Sequence, residues 1–288
     1  MKRVIRTFIE MVLVTTGILL FLSPDLQTVQ KEYTTNKYIE KFEEDNQTKK
    51  EDDPRYQECL EYNDRIYQNK QTTFHDAWTY VQSPIDMESF KDERFGYIKI
   101  PAMDVKLPLY MGASDENMSK GAFVLGGSSV PIGGINTNSI IGGHRGYQGM
   151  PYFREIEKLK PGDKVYVKNP WEKLTYVVET IKIIEPDDVD SLRIQEGRDM
   201  ISLLTCHPYR SHGKQRYVVY CVRKGTPRKD LEKLPMIESS EPEIKKEKYF
   251  RLIIGILMIL MIIETIILKV IQRKNRQQTQ RNHPPINH

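Results

Sequence analysis

Cys206 closes the apolar run ISLLTC, at the point where the stretch ISLLTCHPYRSHGKQRYVVYCVR (201–223) turns polar before a second apolar run. Two short strands joined by a loop are expected there, with the cysteine at the end of the first. A buried cysteine is ordinarily a small hydrophobe without chemistry. One at a strand end, among histidines and arginines, is a candidate nucleophile, because the thiolate is the reactive form and nearby positive charge favours it. Its base would be a histidine, which exchanges protons near neutral pH. His144 ends the run SIIGGH, behind two glycines that let a neighbour approach the backbone closely. Two strand ends of one sheet can join Cys206 and His144 across 62 positions, since catalytic Cys/His pairs are neighbours in space and not in sequence. Acyl transfer also needs a donor for the oxyanion. Arg210, Arg216 and Arg223 are close to Cys206 in sequence. Arg216 opens the strand expected to pair with the cysteine's strand and suits the role best, whereas Arg223 falls at its far end.

Rival chemistries lack their residues. There is no HExxH, CxxC, GxSxG or Walker A pattern. Cys206, His207 and His212 form C-H-x4-H, which lacks the usual zinc-ligand spacing and a fourth ligand. No metal and no cofactor are expected. His283 and His288 belong to the C-terminal tail and His75 to an early polar segment. Two readings stay open on the residues alone: a Cys/His acyl transferase, and a non-catalytic surface domain in which His144 is a loop residue.

The elements that must position these side chains follow from patterning. The chain has 288 residues and a mild net charge of +4, part of it at the ends. No basic stripe with interleaved aromatics is present, so no nucleic-acid partner is expected. Three cysteines exclude a disulfide-rich scaffold and leave at least one thiol free. FIEMVLVTTGILLFLSP (8–24) follows Lys2, Arg3 and Arg6, and its end is a poor signal cleavage site, so an uncleaved anchor is expected over 1–24. LIIGILMILMIIETIILKV (252–270) is 19 residues long, close to the ~20 that a helix needs to cross a bilayer. The basic tail behind it, with Arg273, Lys274, Arg276 and Arg281, marks the cytoplasmic side. Both termini are then inside and the central domain outside. KYIEKFEED and PRYQECLEYNDRIYQ have helical spacing, and 25–94 is expected to be helical and juxtamembrane. From Phe95, the runs FGYIKI, VKLPLY, TNSIIGG, DKVYVKN, KLTYVVETIKII, MISLLTC and QRYVVYCVR are separated by turn residues. Such spacing predicts a mainly β fold, a sandwich or a barrel, over 95–225. A charged linker (226–248), the second span (249–271) and a basic tail (272–288) follow.

SLLTCHPY resembles the Thr-Leu-x-Thr-Cys signature of sortases, the cysteine transpeptidases of Gram-positive cell surfaces. Ser202 stands where the first threonine is usual, and Leu203, Thr205 and Cys206 match. IIGGHRG resembles the sortase histidine segment, QRYVV the strand that carries the arginine, and FGYIKIPAMDVKLPLYMGASDENMSKGAFVLGGSSVPIGG the opening strands and connecting helix. The second membrane helix and the wording HRGYQG and CHPY resemble class C, the pilus-assembling branch. The resemblance implies an eight-stranded β-barrel with N-terminal helices and two flanking transmembrane helices. It implies Cys206 as nucleophile, His144 as acid and base, Arg216 as oxyanion donor and Thr205 as a supporting residue at the substrate. It implies pilin subunits with LPxTG-like sorting signals as donors and a pilin lysine as acceptor. The alternatives are a class B-like or housekeeping-type sortase that uses a peptidoglycan amine, and a non-catalytic scaffold. Two features depart from class C. The loop from Cys206 to Arg216 is one residue longer. The usual Asp-Pro-aromatic lid is not found in TTFHDAWTYVQSPIDMESF, and the only Asp-Pro, Asp53-Pro54, comes too early. Trp78 in that segment is read as a packing aromatic.

Overall fold

The computed structural model describes residues 2–45, 49–72, 74, 82–88, 90, 94–147, 150–210, 213–225 and 239–282. The chain divides into two compact units, Met1–Phe21 with Glu241–His288, and Leu22–Ser240.

The second unit is built on a closed barrel. Its strands are β1 (Arg94–Ile100), β2 (Val105–Met111), β3 (Ala122–Val124), β4 (Thr137–Gly142), β5 (Lys164–Lys168), β6 (Lys173–Ile184), β7 (Asp199–His207) and β8 (Gln215–Arg223). They close in the order β1-β2-β3-β4-β7-β8-β6-β5. The eight-stranded barrel expected from the resemblance is therefore present. Seven strands coincide with the apolar runs of the sequence. The eighth, β3, has only three residues, too few for a period, and is held by parallel pairing to β2 and antiparallel pairing to β4. SDENMSKGA yields the short helix α3 (Asp115–Lys120), whose N-cap Ser114 accepts from the Asn117 amide. Most strands bury side chains on both faces. Alternate residues fill the interior, as with Ile201, Leu203, Tyr217 and Val219. Their neighbours pack outside against Phe74, Leu192 and Phe123.

Two helices precede the barrel. Helix α1 (Lys2–Asp45) contains Pro24 and continues through it, so the anchor and the KYIEKFEED segment are one helix where the sequence suggested two. Ile39 and Phe42 of α1 pack on Tyr97 of β1. Helix α2 (Pro54–Gln68) docks through Asn63, whose amide bonds Val130 at both its amide and its carbonyl. In the other unit, α4 (Glu241–Asn282) contains the second expected span. Both α1 and α4 hold apolar stretches long enough to cross a membrane by length and composition, and side chains such as Leu13, Leu20, Leu257 and Ile266 are exposed on them.

Asp53 is a structural residue. It N-caps α2 by accepting from the Arg55 amide at 3.0 Å, pairs with the Arg55 guanidinium at 2.6 Å, and accepts from Trp171 Nε1 at 2.9 Å. Trp171 lies between β5 and β6, so this one carboxylate joins α2 to the barrel. The segment expected to hold a lid is only partly described: Trp78 and Tyr80 lie outside the described residues, and Phe74 is fully buried in the outer core.

Removing the Asp53 cap and its link should be costly. Asp53→Ala is expected to destabilise the barrel unit by about 2 kcal/mol, from one lost cap and one lost charge-assisted hydrogen bond. The Arg55 guanidinium holds the Asp53 carboxyl at about 2 against an ordinary 3.8. A depressed carboxyl stabilises the fold above its ordinary value and loses that contribution as it protonates. Urea unfolding followed from pH 7 downward should therefore show wild type losing stability towards pH 2, with the gap to Asp53→Ala closing.

Candidate active site

β7 is hydrogen-bonded on both edges. It runs parallel to β4 and antiparallel to β8. In the second ladder Cys206 lies directly opposite Arg216. In the first, Gly142 pairs with Leu204, and the Gly143 amide extends the ladder by donating to the Leu204 carbonyl at 3.1 Å. Two further steps along each strand reach His144 on one side and Cys206 on the other. The structure thus brings the three expected residues to one end of the barrel. Thr205 ties them: its hydroxyl donates to the Gly143 carbonyl at 2.6 Å, next to His144.

The glycines before His144 serve packing. A Cβ on Gly142 would lie 2.3 Å from the Phe123 ring, and one on Gly143 would lie 2.9 Å from the Phe153 ring. Only a bare backbone lets β4 approach those aromatics and deliver the histidine. The His144 ring stacks on Tyr147, with centroids 4.7 Å apart and planes at 24°, and meets Tyr152 edge-on at 6.2 Å.

Arg216 is oriented by the loop before it. Its Nη1 donates to the Gly213 carbonyl at 2.5 Å and to the Gln215 carbonyl at 3.2 Å. Gly213 has φ +77°, and a Cβ there would meet Arg216 Nη1 at 2.9 Å and Cys206 Sγ at 3.2 Å. A glycine is what allows the loop to wrap both groups.

Burial dominates the electrostatics. It pushes the Cys206 thiol above its ordinary range, opposed by the positive fields of Arg216 and Arg145. It pulls the His144 imidazole below its ordinary range. Both shifts favour the neutral forms, a thiol and an uncharged imidazole.

Of the remaining candidates, Arg223 stands at the far end of β8, opposite Tyr176 and 3.7 Å from Glu172. Arg210 has φ +62° and lies over the Tyr209 ring. His212 and His75 lie outside the described residues. Among the described residues no group of His, Cys, Asp and Glu could hold a metal ion. His207 is buried, with Nδ1 3.5 Å from Arg145 Nη1. Arg145 is the residue that sequence reasoning missed. It follows His144 directly, and nothing in its local sequence ties it to Cys206, 61 positions away. Its Nη1 donates to the Cys206 carbonyl at 3.2 Å, and its Nη2 is paired with the Glu157 carboxylate.

The sortase domain family matches residues 98–224. Streptococcus agalactiae sortase C1, solved in complex with MTSET, is 32% identical, with a TM-score of 0.54 over 59% of this chain and 88% of that one. Streptococcus pneumoniae sortase C is 33% identical, with a TM-score of 0.53 over 66% of this chain and 97% of that one. Sortase D of Bacillus subtilis is 28% identical over 137 residues, 46% of this chain and 66% of that protein's length. The chain belongs to the sortase family of cysteine transpeptidases, and its structural likeness is to class C.

Two outcomes follow from this geometry. The rate of Cys206 alkylation by iodoacetamide should be low at pH 7 and rise with pH to a midpoint above that of an ordinary thiol; a midpoint below neutrality would instead require a resting thiolate–imidazolium pair. Gly213→Ala should fold yet react more slowly. A residue at this φ costs roughly 1 kcal/mol, and the new methyl displaces Arg216. We expect alkylation and turnover to fall about tenfold, equivalent to 1.4 kcal/mol in the barrier, as read by stopped assays on folded protein.

Proposed function

We propose that this chain is a pilus-assembling sortase. It cleaves an LPxTG-like sorting signal between Thr and Gly and joins the resulting acyl group to a lysine of the next pilin. The observation that carries this reading is the β7 register, which sets Cys206 opposite Arg216 and leaves His144 and Cys206 each two residues beyond the Gly142–Leu204 pair. The likeness to Streptococcus pneumoniae sortase C, a structure that bears on pilin substrate specificity, supports the substrate class.

In this mechanism the Cys206 proton passes to His144 as Sγ attacks the threonine carbonyl. The oxyanion forms beside Arg216, whose guanidinium donates to it. Collapse breaks the Thr–Gly bond. His144 returns its proton to the departing glycine amine, leaving a Cys206 thioester. The acceptor lysine amine then attacks, His144 takes its proton, and Sγ leaves as an isopeptide bond forms. Thr205 supports the step by fixing the backbone before His144.

The proposed setting is the outer face of a membrane. The chain crosses twice, with Lys2 and Arg3 at one end and Arg273 and Lys274 at the other on the cytoplasmic side. The barrel unit then stands outside, among substrates held in the same bilayer. Shared confinement raises their effective concentration without new contacts.

The test is a mixture of the full chain, in detergent, with a pilin bearing its sorting signal, read by denaturing gel and mass spectrometry. A ladder with Lys–Thr isopeptide links, lost in Cys206→Ala, is the expected result. Arg216→Lys should retain less than a tenth of the activity, because lysine keeps the charge and loses the guanidinium fork. A thioester or hydrolysed pilin without a ladder would move the acceptor to a peptidoglycan amine. A ladder that survives Cys206→Ala would remove Cys206 from the nucleophile's role.

A further inference from the structure

Behind the nucleophile lies a buried polar chain that the transpeptidation steps do not use. Arg145 and His207 are both buried. Arg145 Nη1 donates to the Cys206 carbonyl at 3.2 Å and approaches His207 Nδ1 at 3.5 Å. Its Nη2 is paired with Glu157 Oε1, its Nε donates to the Arg154 carbonyl at 3.4 Å, and its guanidinium faces the Tyr217 ring at 5.5 Å. Glu157 comes from the 3-10 turn Ile156–Lys158, in the connection between β4 and β5. Its Oε1 also lies 3.8 Å from His207 Nδ1, and two further contacts come from a remote part of the chain. The Ser240 amide donates to Glu157 Oε2 at 2.7 Å, and the Ser240 hydroxyl donates to Oε1 at 3.0 Å. Ser240 is buried and is the last residue before α4.

Three separate segments therefore meet under the Cys206 peptide. A carboxylate with this little water around it needs all its lone pairs satisfied. Arg145 alone leaves part of Glu157 uncovered, and the two Ser240 donors complete it. Charged groups facing Cys206 from the packed elements are Arg216 on β8 and Arg145 after β4, with His144 beside it and Glu157 behind Arg145. The position of Arg145 is thus one of the few variables by which the protein can adjust the nucleophile.

We propose that Glu157 and Ser240 are positioning residues for the nucleophile: Ser240 clips the chain that leads into the C-terminal span onto Glu157, Glu157 holds Arg145, and Arg145 holds the Cys206 carbonyl. The entry to the C-terminal span is then part of the catalytic apparatus as well as a tether. This inference rests on the sortase chemistry proposed above, and its test separates the two.

The full chain in detergent is assayed as wild type, Glu157→Gln, Ser240→Pro, Ser240→Thr and, as a control, Glu179→Gln. Ser240→Pro removes both donors, whereas Ser240→Thr keeps both. Glu179 forms a buried pair with Arg198 at 2.6 Å, away from the Cys206 end of β7, and reports the effect of losing a buried ion pair as such. Sorting-peptide cleavage gives kcat and KM, iodoacetamide gives Cys206 reactivity, and thermal unfolding gives Tm. We expect Glu157→Gln and Ser240→Pro to lower kcat at least tenfold with KM within twofold, and to change the alkylation rate of Cys206. Ser240→Thr should match wild type, and Glu179→Gln should lower Tm with kcat per folded molecule unchanged. Equal kcat in all folded variants, or an equal loss in Glu179→Gln, would overturn the positioning role. If wild type shows no Cys206-dependent cleavage, the sortase reading fails by itself. The alkylation rates then decide the network: altered in Glu157→Gln and Ser240→Pro, they uphold it, and unaltered, they overturn it.

Discussion

The site depends on the register of one strand. β7 is paired on both edges, and a slip of one residue against either neighbour would turn Cys206 away from Arg216 or from His144. Hydrophobic alternation alone does not hold this register. Both faces of β7 are apolar, with Ile201 and Leu203 inside and Met200 and Leu204 outside, so a slipped strand would still bury hydrocarbon. Buried polar pairs distinguish the registers. The Ser202 hydroxyl donates to Asn138 Oδ1 at 2.9 Å, and Asn138 Nδ2 donates to the Leu192 carbonyl at 2.8 Å. Thr205 bonds the Gly143 carbonyl. A slip would leave each of these groups buried and unsatisfied, at ~1–3 kcal/mol apiece. Ser202, where the sortase signature usually has threonine, keeps the hydroxyl that this pairing needs.

The same burial that fixes the register sets the chemistry. Water is thin around Cys206 and His144, so the charged forms of both are disfavoured. The arginines act in that dry setting, where a field is stronger than in water. Arg216 is held by two backbone carbonyls and Arg145 by a carboxylate, so neither has to find its place as charge develops. Preorganised donors of this kind stabilise a transition state without reorganisation at the moment of reaction. The energy that a neutral thiol requires for proton transfer is set against that gain.

How much of this the sequence reveals depends on whether the signal is local. Seven strands were legible because each is a run of five or more residues bounded by turn residues. β3 was not, since three residues have no period. Cys206, His144 and Arg216 were legible because each stands at a strand end beside an irregular loop, and the ladders then unite them. The continuity of α1 was hidden by Pro24, which normally argues for a boundary but here falls inside a helix. Arg145 and Glu157 were hidden for another reason. Their pairing is spatial, and Glu157 sits in YFREIEKL, a turn with several charges and no pattern to single one out. Ser240 lies 83 positions from its partner.

That hidden network has a physical logic of its own. A buried ion pair is weak support for stability, because the cost of desolvating two charges consumes most of what their attraction returns. Apolar side chains of similar volume often replace such a pair without loss of stability. What an apolar pair could not do is place two N–H groups under the carbonyl of the nucleophile's own residue and beside His207. Arg145 is paired and hydrogen-bonded at all three nitrogens, yet its cost makes sense only if location is what it provides. Glu157 takes donors from Ser240 as well as from Arg145, and Ser240 begins the stretch that enters the C-terminal span. A helix that served solely as an anchor could be attached through any exposed linker. Attachment through a buried serine, three contacts from Cys206 by way of Glu157 and Arg145, joins the start of that helix to the proposed nucleophile.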